Sequence, residues 1–174
     1  MRLNVRRLHF IGPILLLSLE SPALAQSARP PRLCTAPEYR QFDFWVGQWE
    51  VHTPDGNRAG SNRIQPILNG CVLQESWTGA GGSNGTSYNV YDQTRQRWHQ
   101  TWVDDQGSLL QLDGTFRDGR MKLEGETRDS SGGRVLQRIT WEQTAPKNVR
   151  QLWEVSSDGG TSWKVVFDGR YVKQ

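Results

Sequence analysis

From Gly47 onward apolar and polar residues alternate with a period of two, the pattern of strands that bury one face. In the segment 96–103, Trp98, Gln100 and Trp102 share one face while Arg97, His99 and Thr101 share the other. The same parity groups Ser87 with Asn89 and Tyr91, Cys71 with Leu73, Glu75 and Trp77, Gln151 with Trp153, and Trp49 with Val51. Candidate strands are 47–53, 59–67, 71–79, 85–92, 96–103, 108–117, 120–128, 133–144, 148–156 and 162–173. Turn signals punctuate them at Asp55-Gly56, Asn69-Gly70, Asp118-Gly119, Gly132-Gly133 and Asp158-Gly159-Gly160. Connections this short make consecutive strands antiparallel neighbours. A ten-strand meander leaves two open edges unless it closes, so the expectation is an all-β, closed antiparallel barrel.

Ahead of the strands, Thr35-Ala36-Pro37-Glu38 has the form of a capping box with proline near the first helical position. A short helix over 36–44 is expected, with Tyr39, Phe42, Phe44 and Trp45 on its apolar side. A helix of that length forms only if it packs on something else.

Large aromatic residues belong on the buried face, and parity then carries Glu75, Ser87, Asn89, Gln100 and Gln151 inside with them. Buried amides and a carboxylate are costly unless they meet each other, water or a ligand. The functional expectation is a cavity lined by Glu75, Trp77, Asn89, Tyr91, Trp98, Gln100, Trp102, Gln151 and Trp153, taking a small hydrophobic or amphipathic molecule. The alternative is a satisfied polar network with no ligand, since many small barrels fill their interior with side chains. Arg138 would suit Glu75 as a partner, yet its parity points it outward unless a bulge intervenes. The glycine-rich stretch Gly79 to Gly85 is the one low-complexity segment.

Residues 1–25 read as a cleavable signal peptide. Arg2, Arg6 and Arg7 precede the apolar run Leu8 to Leu19, and Ala23-Leu24-Ala25 forms a small-x-small cleavage site. The run is short for a membrane span and contains Pro13, so no stable anchor is expected after cleavage. Cleavage removes three arginines and one glutamate, lowering the net charge from +3 to +1. The basic balance that would suggest nucleic acid or an anionic membrane thus disappears. Residues 26–35 make a proline-containing lead-in, and 36–174 form one domain. The expected location is a bacterial periplasm or the exterior. There Cys34 and Cys71, the two cysteines of the chain, are expected to form a disulfide, with two free buried thiols as the alternative.

Motifs for dedicated chemistry are missing: there is no H-x-x-x-H, C-x-x-C, G-x-S-x-G, G-x-G-x-x-G or P-loop pattern. No cofactor or metal is called for. His52 and His99 fall on outward parity, and Asp104-Asp105 sit at a turn. Glu75 in an apolar pocket would have a raised pKa, which makes it a candidate general acid or base for an isomerase or dehydratase. An enzyme is the less favoured reading, and a ligand-free envelope accessory protein is a further one.

Three stretches carry resemblances. Gly47-Gln48-Trp49 is similar to the G-x-W that opens the first strand of lipocalins and other calycin barrels. In those folds the tryptophan closes the barrel base beneath an arginine of the last strand, which implies Arg170 as the partner of Trp49. The longer pattern joins Phe42-Asp43-Phe44-Trp45-Val46-Gly47-Gln48-Trp49 to the strings Gly70–Trp77, Ser87–Asp92 and Trp98–Asp104. It resembles an uncharacterised family of exported, lipocalin-like bacterial domains, which implies the barrel and no established activity. Nitrobindins, another ten-stranded barrel family, hold haem through a histidine near the C-terminus, and here no histidine follows His99. Ser156 to Trp163 resembles the Asp-box of sialidases, implying a turn organised by Asp158 over Trp163 rather than a sialidase.

Overall fold

A computed structural model describes residues 33–174, so the expected signal peptide and most of the lead-in lie outside the described residues. Ten strands run in sequence among them: β1 (Gly47–His52), β2 (Arg58–Ile67), β3 (Val72–Gly79), β4 (Asn84–Asp92), β5 (Arg97–Asp104), β6 (Leu109–Arg117), β7 (Arg120–Arg128), β8 (Arg134–Ala145), β9 (Asn148–Ser156) and β10 (Lys164–Lys173). Each pairs antiparallel with the next, and β1 pairs with β10 through Trp49↔Lys173 and Val51↔Tyr171. The meander therefore closes into a barrel, with β1 joined to β10 over residues 49–52 and 170–173. The strand limits fall within two residues of those expected from the alternation.

Turn chemistry sets the register. At the β6–β7 connection Asp118 and Gly119 both adopt positive φ, 51° and 76°, as a two-residue hairpin turn requires. Arg117 and Arg120 close that hairpin as direct partners. Three irregularities depart from regular pairing, at Val51/His52, Val165/Phe167 and Gln143/Ala145.

The expected N-terminal helix takes the form of two 3-10 turns, Pro37–Arg40 and Asp43–Trp45. The N-cap of the first is Ala36, one residue after the expected Thr35, and Pro37 opens the turn. Tertiary packing explains the tighter winding. Phe42 and Trp45 must both enter the lower mouth of the barrel, and each is completely buried. Phe42 stacks on Trp45 at 4.9 Å and meets Trp98 and Trp141 edge-on at 5.6 and 5.3 Å. Burying a side chain such as Phe42 is worth about 1.5–3 kcal/mol, so this plug is a substantial part of the core.

Trp49 sits beside the plug, its indole nitrogen donating to the Trp45 carbonyl at 2.8 Å. The cation over its ring is not Arg170, as the lipocalin resemblance implies, but Lys173, with Nζ 5.3 Å from the ring centroid. Lys173 also donates to the Val46 carbonyl at 3.0 Å, whereas Arg170 is exposed and pairs across the ladder with His52. Parity accounts for the difference: Trp49 and Lys173 are direct neighbours across β1 and β10. A disulfide joins Cys34 to Cys71 with Cα atoms 5.1 Å apart, tying the segment ahead of the plug to the start of β3. No helix of the described residues is long and apolar enough to cross a membrane.

Candidate functional site

The two ends of the barrel differ. The lower end, where β2 meets β3 and β8 meets β9, is occupied by the plug, which leaves a smaller pocket of about 150 Å³ beside Tyr91 and Trp98. The upper end encloses a chamber of about 290 Å³. Its floor is polar, built from Glu75, Gln100, Gln151 and Tyr171, and its walls carry Trp77, Trp102, Trp153, Phe167, Leu110, Ile139 and Val166.

Close approach of backbone to aromatic rings shapes those walls. A Cβ at Gly85 would lie 2.1 Å from the Trp102 ring, and one at Gly60 would lie 2.8 Å from Trp77. Glycine at these inward positions lets the indoles lie against the sheet and leaves the centre open. Phe167 meets Trp77 edge-on at 6.1 Å, and the bulge beside it brings both Val166 and Phe167 to the chamber. Trp153 is fixed by donation to Gln137 at 2.8 Å.

Beneath the floor the polar side chains form a directional network. Gln100 donates to Asn89 at 2.8 Å, Asn89 donates to Ser87 at 2.9 Å, and Ser87 donates to Glu75 Oε2 at 2.6 Å. From the opposite side Asn62 donates to Glu75 Oε1 at 2.7 Å and to the Tyr171 hydroxyl at 3.3 Å, and Tyr171 donates in turn to Gln151. Cross-strand register produces this: Glu75 and Ser87 are direct partners on β3 and β4, as are Asn89 and Gln100 on β4 and β5. Burial raises the Glu75 pKa above the ordinary carboxylate value, opposed by the hydrogen bonds from Ser87 and Asn62. The Tyr171 phenol is pushed well above its ordinary value, first by burial and then by the neighbouring Glu75 charge.

Of the residues expected around a cavity, Glu75, Trp77, Gln100, Trp102, Gln151 and Trp153 line this chamber. Asn89 is buried behind Gln100 in the network. Tyr91 and Trp98 point to the lower end instead, where Tyr91 packs on Tyr39 at 5.3 Å and Trp98 donates to Gln41 at 3.1 Å. Parity puts a residue inside the barrel but is blind to its height along the axis, which is why those two were misplaced. Asn62, Tyr171, Leu110, Ile139 and Phe167 also belong to the site, and their own strands would have revealed them by the same alternation. Ser83, from the glycine-rich β3–β4 loop, reaches the chamber mouth, and its carbonyl accepts from Gly79 at 2.7 Å.

The remaining sequence candidates lie outside the chamber. Arg138 faces outward, pairing with Glu154 at 2.9 Å and covering the Trp163 ring at 3.9 Å. Asp158 accepts from the Ser162 amide at 2.9 Å and from Ser156 at 2.7 Å, organising the turn between β9 and β10. His99 bonds Asp113 and Thr101 on the outer face, and His52 bonds Glu50. Asp104 and Asp105 organise the upper turns by accepting from the amides of Ser108 and Asn84. Among the described residues no three His, Cys, Asp or Glu side chains converge as a metal-ligand set. No family model matches the chain, and no curated protein matches it at a significant level.

Proposed function

We propose that this chain is an exported, lipocalin-like protein that binds a small hydrophobic or amphipathic ligand in the upper chamber. The observation that carries the reading is the asymmetry of the interior: one end is packed with aromatic rings, the other holds a chamber of about 290 Å³ with aromatic walls over a polar floor. Small-molecule sites combine apolar surface with a few fixed polar groups in this way. The Cys34–Cys71 disulfide fits an oxidising compartment, and so supports the export read from residues 1–25. The Phe42–Trp49 string, with Trp49 at the barrel base, supports a relationship to the lipocalin-like domains.

Native mass spectrometry of protein purified from its natural source tests the reading, together with tryptophan emission against a panel of fatty acids and small aromatics. Retention of a bound small molecule, or an emission change from Trp102 and Trp153, is the expected result. Absence of both overturns it. A second reading, an acid–base enzyme, rests on the raised pKa of Glu75 at the chamber floor. Glu75→Gln separates the two, because apolar binding survives in a binder while turnover is lost in an enzyme.

A further inference from the structure

We propose that the ligand of the upper chamber is a small organic cation, an amine carried on an apolar or aromatic body, with its ammonium group on Glu75. This rests on the chamber being a binding site and adds the chemical class of the occupant.

The charge inventory of the interior carries the inference. Glu75, only 4% exposed, is the one Asp, Glu, His, Lys or Arg among the buried side chains of the described residues; the other buried polar side chains are Asn, Gln, Ser and the Tyr171 phenol. Its neighbours inside the barrel are Asn62 from β2, Ser87 from β4 and, through Asn62, Tyr171 from β10, none of them cationic. Ion pairs such as Arg138–Glu154 and Arg150–Asp168 lie on the outer face. A buried carboxylate without a counter-charge is costly, and the described residues supply none.

Donor direction points the same way. The chain from Gln100 through Asn89 and Ser87 ends on Glu75 Oε2, while Asn62 ends on Oε1. Both oxygens are thus arranged as acceptors, which suits the ionised carboxylate. Gln100 spends its amide nitrogen on Asn89, so its carbonyl oxygen, bonded to no donor among the described residues, is a second acceptor at the chamber floor. Gln151 adds an amide donor suited to a hydroxyl or ether of the ligand body. Above this floor stand Trp77, Trp102 and Trp153, whose ring faces attract cations and accept an aryl group equally well. A fatty acid entering carboxylate-first would instead set a second anion against Glu75.

Three probes of similar shape decide the matter by calorimetry or tryptophan emission: 2-phenylethylamine, 3-phenylpropionate and ethylbenzene. The expected result is amine binding at least tenfold tighter than either other probe, and loss of that advantage in Glu75→Gln. Binding of the carboxylate or ethylbenzene as tightly as the amine overturns the cation inference while leaving the chamber a binding site. Failure of all three to bind overturns both. The three-probe comparison on the unmutated protein is decisive by itself if the variant does not fold.

Discussion

The side-chain amide nitrogen of Asn62 lies 2.7 Å from Glu75 Oε1 and 3.3 Å from the Tyr171 hydroxyl, so one amide from β2 spans an acid on β3 and a phenol on β10. These groups meet because the barrel closes. Removing the Asn62 donor, as in Asn62→Leu, leaves a buried carboxylate with one bond fewer. The expected loss is about 1–3 kcal/mol, read from the midpoint of urea unfolding at pH 7.

Glu75 also sets a pH dependence. Its pKa is raised in the folded state, so its contribution to stability is fully present below the unfolded value of about 4.5 and is lost as pH rises through the folded value. Glu75→Gln lacks this titration. Relative to the wild type, the variant is expected to gain stability as pH rises above about 4.5 and until Glu75 ionises in the fold, checked by urea unfolding of both proteins across a pH series. Parallel curves would contradict the expectation.

Breaking Cys34–Cys71 frees a loop with a sequence separation of 37 residues. On the chain-entropy relation this costs about 4 kcal/mol. Denaturant curves with and without a reductant, or of the Cys34→Ser/Cys71→Ser pair, measure it directly.

Gly85→Ala places a methyl group where the Trp102 ring lies, with a Cβ-to-ring distance of 2.1 Å. The ring must move into the chamber. A loss of about 1–3 kcal/mol and a shifted tryptophan emission are expected, together with weaker ligand binding.

Trp45 and Trp102 separate stability from binding. Trp45 is fully buried at the base, and Trp45→Ala is expected to cost about 3–5 kcal/mol in thermal or urea unfolding. Trp102 faces the chamber and is only partly buried, so Trp102→Ala should cost less stability and more ligand affinity.

Much of the architecture was legible from the chain. Alternation around Trp98, Gln100 and Trp102, with turns such as Asp118-Gly119, located all ten strands, because a period of two and a positive-φ turn are local properties. The N-terminal helix was less legible. The sequence places an element at 36–44, but its 3-10 winding follows from seating both Phe42 and Trp45 in the barrel mouth.

Sequence alone determined which side chains turn inward, Glu75 and Gln100 included, since parity along a strand needs no knowledge of its neighbours. Only the tertiary structure decided their height in the barrel and their companions. The course of β5 through the closed barrel put Trp98 with the plug and Trp102, four residues on, at the open chamber. Closure of β1 on β10 brought Lys173 rather than Arg170 over Trp49 and drew Tyr171 into reach of Asn62. Those contacts join residues more than a hundred positions apart, and local alternation cannot specify them.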